Sequence, residues 1–142
     1  MVHLQLITLS GVKFDGDAYE VLLPTLDGEI GVLPKHMPLV SVAKPGIISV
    51  RHTEHDLDAA MEHFAVSGGV IEVLDDHVRV LVDEADHADD INEAEALVAH
   101  ERALKLKAEA KDEVGLERAQ ELVDRTATRL HVAGLKRRRS PR

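Results

Sequence analysis

The stretch 24–46 constrains this chain more than any other part of it. Four of the five prolines and three of the nine glycines fall there, among valines, leucines and isoleucines. Proline removes a backbone donor and steers the residue before it towards extended conformations, so Pro34 and Pro38 argue against a helix. Asp27-Gly28 between apolar flanks signals a hairpin turn, because glycine takes positive φ without steric penalty. The expectation is short strands and stiff turns that hold Glu29, Lys35 and His36 in a fixed relation.

The same two-residue period runs through the first part of the chain. Residues 3–9, 19–23, 46–51, 64–66, 70–74 and 77–83 read as strands, with turn residues about every ten positions, the pattern of an antiparallel sandwich. Asp75-Asp76 marks another turn. Ser67-Gly68-Gly69 has neither a G-x-S-x-G frame nor a following helix, so it reads as a turn admitting close backbone approach rather than a nucleophile. After residue 86 the period becomes 3.6. A capping box of Asp90 with Glu93 opens a helix to about residue 111, with Ala94, Leu97, Val98, Leu104 and Ala108 on one face. Residues 112–115 break it. A second helix carries Leu116, Ala119, Val123, Ala127 and Leu130 and is expected to end near Gly134.

The reading is thus an antiparallel β-sandwich over residues 1–87, an antiparallel two-helix hairpin over 88–135 and a basic tail over 136–142. Large apolar residues are sparse in the helices. The hairpin is expected to be an arm that docks on its own sandwich or a partner and can leave it.

Composition excludes several functions. Phe14, Tyr19 and Phe64 are the only aromatic residues and the net charge is −9, which gives no stacking platform and repels a phosphate backbone. The absence of cysteine excludes disulfides and thiol catalysis. The first residues lack the basic region and apolar run of a secretory signal, and no apolar run approaches the roughly 20 residues of a spanning helix. Residues 125–142 contain seven Lys/Arg and no Asp/Glu in an otherwise acidic chain. A basic end of this kind suits an interaction segment.

The nine histidines raise a metal reading, centred on His52, His55 and His63. Their spacing matches neither H-E-x-x-H nor H-x-x-E-H, and residues 52–63 read as a solvated polar loop. No P-loop and no G-x-G-x-x-G occur, and no catalytic residue or metal ligand is assigned.

Asp27-Gly-Glu-Ile-Gly-Val-Leu-Pro, His36-x-Pro-Leu, Lys44-Pro-Gly-Ile and Phe64-Ala-Val-Ser-Gly-Gly-Val-Ile-Glu-Val together resemble the epsilon subunit of bacterial F-type, proton-translocating ATP synthases, over about residues 3–133. The resemblance implies a non-catalytic subunit of the central stalk that rotates with the rotor. It would couple c-ring rotation to ATP synthesis through the gamma subunit and restrain ATP hydrolysis through its C-terminal helices. It further implies that Glu29 and Ile30 meet the c-ring and that His36, Pro38 and Leu39 face gamma. Arg125, Arg129 and Lys136 would approach the catalytic alpha/beta subunits. The location implied is the cytoplasmic face of the bacterial plasma membrane, held there only through the complex.

Some bacterial members of that family carry a regulatory nucleotide site opening with Ile-Asp-x-x-Arg-Ala. Here the motif reads Ile91-Asn92-Glu93-Ala94-Glu95-Ala96. Ile91 and Ala96 match, as do Arg102, Arg125 and Arg129 further on, but Asn92 replaces the aspartate and Glu95 the arginine. A carboxylate where a cation would face phosphate reverses the local field. ATP binding is therefore expected to be weak or absent, with no cofactor. Two rival readings stay open on sequence alone, a small metal-dependent hydrolase using His52, His55 and His63, and a free-standing adaptor.

Overall fold

A computed structural model describes the backbone of residues 1–139 and the side chains of residues 1–135. Ten strands precede two helices: β1 (Val2–Thr8), β2 (Gly11–Ala18), β3 (Glu20–Thr25), β4 (Gly28–Val32), β5 (Leu39–Ala43), β6 (Gly46–Arg51), β7 (Glu62–Val66), β8 (Gly69–Leu74), β9 (His77–Val82), β10 (Ala85–His87), α1 (Glu93–Glu109) and α2 (Glu113–Arg139). The strands form two layers. One runs β4-β3-β6-β7-β10 and the other β5-β8-β9-β1-β2, and the bridge between Thr25 and Ala43 joins them. All pairs are antiparallel except β1 with β9, which is parallel. Strand alternation cannot signal that exception, because parallel and antiparallel partners ask the same side-chain period of a strand.

Between the layers lies an aliphatic core that includes Leu4, Leu6, Val21, Leu23, Ile48, Val50, Ile71, Val73, Val78 and Val80. Strand alternation produces it: in β1 and β9 every second residue is buried and the residues between face out. The open side is closed where Phe14 of β2 meets Phe64 of β7 edge to face, 5.8 Å between ring centres.

Turn chemistry fixes the register. The β3–β4 hairpin closes through Leu26-Asp27, and Gly28 follows at φ +113° as the first strand residue. The β8–β9 hairpin closes through Asp75 and Asp76 at φ 50° and 61°, the positive pair of a type I′ turn. Gly69 is where backbones close up: a Cβ there would meet Leu81 O at 1.9 Å.

The arm departs from expectation in four places. Asn92, not Asp90, caps α1, its side chain accepting from the Glu95 amide at 3.0 Å, while Asp90 ends a short 3₁₀ turn at Ala88–Asp90. The connecting loop is shorter than expected, because Asp112 accepts from the Gly115 amide at 2.7 Å and α2 is already under way at Glu113. Gly134 does not stop α2, which continues to Arg139. The neighbouring Val132 and Ala133 are buried against the sandwich, and that packing outweighs the roughly 1 kcal/mol a mid-helix glycine costs. The expected apolar face of α1 is also rotated, whereas that of α2 holds in part, with Ala119 and Val123 buried and Leu130 packed on the arm cluster. Ala96 and Ala103 are buried on α1, whereas Leu97, Val98 and Leu104 are about half exposed, and Leu116 of α2 is exposed too.

Candidate functional site

No enclosed reactive centre emerges among the described residues; the features that stand out are surfaces. The first is the β3–β4 tip. Thr25 Oγ1 donates to Gly28 O at 2.6 Å and accepts from the Asp27 amide at 3.2 Å, which stiffens the turn, and Leu26 is exposed on it. Glu29 is exposed, and Ile30 packs partly against the core. Glu29 also lines an open cleft of about 360 Å³ with Pro24, Gly46 and Ile47 on the sandwich and Ala127, Thr128 and His131 on α2. The docked arm therefore reaches the foot of the hairpin.

The second surface is the loop at residues 33–38. Lys35 has φ 66°, uncommon for a residue with a side chain, and its amide donates to Asp76 Oδ1 at 2.6 Å. The His36 amide donates to Leu33 O at 3.2 Å, and Nδ1–H of the ring donates to Met37 O at 2.7 Å. Met37 is 73% exposed and Pro38 is exposed, whereas Leu39 turns partly into the core opposite Val73. Sequence reasoning missed a third surface, because it depends on register. Val42, Val70, Leu81, Ile7 and Val12 pair in one row across five strands on the outer face of the second layer. Four of them are at least 45% exposed.

The third group of expected residues is brought together on the arm. Arg129 forms a short ion pair with Asp86 of β10, and Arg125 lies 3.7 Å from Glu84 just before it. The cavity among these four groups holds only about 20 Å³. Arg102 is exposed on α1 and does not line it. Ile91 and Ala96 are buried with Ala65, Ala88, Val132 and Ala133, so they seat the arm rather than face a ligand. Asn92 and the Glu95 amide are engaged in the helix cap. Two of the arginines expected at a nucleotide site thus have carboxylates of the same chain as partners. Lys136 and the tail beyond it fall outside the described side chains.

The histidine cluster comes apart. His63 is buried and its Nδ1 pairs with Ser49 Oγ at 2.8 Å across β6 and β7, away from His55, which is exposed in a shallow depression with His52. His52 and His87 instead donate from Nε2 to the two oxygens of Glu62, at 2.5 and 3.0 Å. Burial works to raise the Glu62 carboxyl, but the bonds and charge from His87 and His52 outweigh it and hold the group below its ordinary value. Among the described residues no three His, Asp or Glu side chains converge as a metal site, and the hydrolase reading is withdrawn. On β1, the hydrogen bonds that His3 donates to Asp17 and then to Asp15 raise its ring above the ordinary value.

Comparison with known proteins completes the picture. Residues 1–88 match the family model described as the beta-sandwich domain of the ATP synthase delta/epsilon chain. The ATP synthase epsilon chain of Halalkalibacterium halodurans is 35% identical over 94% of this chain and 97% of its own length. That of Herpetosiphon aurantiacus is 32% identical over 97% of this chain and 98% of its own. Among solved structures, a chain of the Euglena gracilis mitochondrial ATP synthase aligns with a TM-score of 0.78 at 23% identity, over 94% of this chain and 81% of that one. A chain of the Tetrahymena thermophila enzyme aligns at 0.59 and 15% identity, over 92% and 94%. These two likenesses speak to the fold. Among the described residues, no helix is long and apolar enough to cross a membrane.

Proposed function

The chain belongs to the ATP synthase epsilon-chain family, and on that premise we propose that it is a non-catalytic subunit of the central stalk. Its sandwich binds gamma and the c-ring, so that c-ring rotation is passed to the catalytic head, and its arm restrains ATP hydrolysis. It is held at the membrane, on the cytoplasmic face, through those partners alone. The observation that carries the reading is the extent of the match: a relative 35% identical over 94% of this chain spans sandwich and arm together. The surfaces suit the work. A shaft-riding subunit needs stiff contact elements and no reactive group, and the β3–β4 tip and the proline-braced loop are of that kind.

Glu29 and Leu26 at the tip are the contact with the c-ring, with Ile30 seating the strand behind them. His36 and Pro38 are the contact with gamma, and Leu39 anchors their loop in the core. Arg125 and Arg129 act in inhibition when the arm leaves the sandwich; while it is docked, Glu84 and Asp86 neutralise them. The chain does not depend on ATP for this docking, because its own carboxylates occupy the arginines. The test is co-purification from native membranes with mass spectrometry. Recovery with gamma, c-ring and the catalytic subunits supports the reading, and recovery with an unrelated partner would replace it by the adaptor.

A further inference from the structure

The loop at residues 33–38 is stiffened by its two prolines, but they do not account for its shape. Pro34 fixes its own φ and Pro38 biases Met37 towards extended backbone; neither dictates the left-handed Lys35 between them. That conformation, φ 66°, is one that a residue with a Cβ seldom holds unless something outside the loop rewards it. The Lys35 amide finds its acceptor in Asp76 Oδ1, 2.6 Å away and 41 positions along the chain. Asp76 is itself fixed. It sits at φ 61° in the β8–β9 turn, between Leu74 and His77, which pair across the ladder, and its carbonyl accepts from the His3 amide at 2.8 Å. The turn alone would favour glycine at this position. A carboxylate in its place therefore points to a use beyond the turn.

We propose that Asp76 is the positioning residue of the recognition loop, its carboxylate holding Lys35 in the one backbone conformation that presents His36 and Met37 to the stalk partner. The inference rests on the reading of this loop as a stalk contact. With Nδ1–H of His36 bonded to Met37 O, Nε2 is the ring nitrogen left for a partner, beside the exposed Met37 and Lys35. The matching surface is apolar, with a hydrogen-bond donor for Nε2 and a carboxylate for Lys35.

Two substitutions separate positioning from folding. Asp76→Asn keeps both the tolerance of positive φ and the Oδ1 acceptor; Asp76→Gly suits the turn even better but removes the acceptor. Binding of the full chain to purified gamma subunit would be measured by calorimetry, with the Lys35 amide proton followed by NMR in the free chain. In the native chain and Asp76→Asn we expect equal affinity and a downfield Lys35 amide. In Asp76→Gly we expect that resonance to move upfield with the melting temperature retained. If the competent loop falls to about a tenth of the population, affinity weakens about tenfold. Native binding with Asp76→Gly unimpaired, or with Asp76→Asn as weak as Asp76→Gly, would overturn the inference alone. A native chain that does not bind gamma would remove the contact reading and this inference with it.

Discussion

A methyl group at Gly69 would sit 1.9 Å from Leu81 O and 2.9 Å from a Val82 methyl carbon, with ladder backbone as the obstacle. A strand cannot yield locally without opening the β8–β9 ladder, so Gly69→Ala should destabilise by about 3 kcal/mol, at the upper end of overpacking costs. Urea unfolding checks this. Gly134 is the opposite case, helical with nothing within 4 Å of the added carbon, and Gly134→Ala should stabilise α2 by about 0.5 to 1 kcal/mol, read as slower amide exchange there. Glu62 gives a pH test. Its carboxyl is held below the ordinary 4.5, so the stability it contributes is present above that value and lost as pH falls through the lower folded one. Glu62→Gln should remove that part of the acid-unfolding profile. The residue scale also marks where reading a sequence stops. Ser67-Gly68-Gly69 announced its close approach because only glycine fits such a place. Asp76 looked like half a turn and no more, since nothing local says that its side chain reaches Lys35.

Elements were legible where a local rule determines them and hidden where a distant partner does. Alternation outlined most of the strands, and the two turn pairs set their hairpins. The 85–87 strand was missed because three residues carry no period, and it forms only because Phe64, Ala65 and Val66 offer it a ladder. The helices were read, and on the expected face of α2 Ala119 and Val123 are indeed buried, but the buried face of α1 was not read, since α1 packs mainly on α2 and that partner decides which side is covered. On α1 the covered residues are small, Ala96 and Ala103, and Leu97, Leu104 and Leu106 stay outside. The arm is consequently held by a small cluster and two ion pairs. Those pairs are partly exposed, with side-chain accessibilities of 34% and 39% for Arg129 and Asp86 and 52% and 62% for Arg125 and Glu84, so each is worth about 1 kcal/mol or less and is screened by salt. Raising salt from about 0.05 to about 0.5 M, from a Debye length near 14 Å to one near 4 Å, should speed hydrogen exchange in α1 and α2 while β1, β8 and β9 stay protected. Arm exchange as slow as that of the sandwich in the absence of any partner would contradict a detachable arm.

At the scale of the whole molecule, the proposed function makes the acidic body and the basic end two halves of one competition. Arg125 and Arg129 can neutralise Glu84 and Asp86 on their own sandwich or meet carboxylates on a neighbouring subunit, but not both at once. The half-exposed Leu97, Val98 and Leu104 give the arm a second reason to seek a partner, because they remain uncovered while it is docked. If docking and inhibition draw on the same arginines, two alterations should act in opposite directions. Removing residues 125–142 takes the cations from both states and should raise the ATPase activity of the assembled complex. Glu84→Gln with Asp86→Asn removes only the intramolecular partners. It frees the arginines and should lower activity, by up to about tenfold if the two pairs together bias the arm by about 1.4 kcal/mol. Steady-state ATPase assays on reconstituted complexes decide it. A double variant as active as the native chain would mean that the latch does not limit release. One more active than native would mean that the docked arm, not the free one, is the inhibitor.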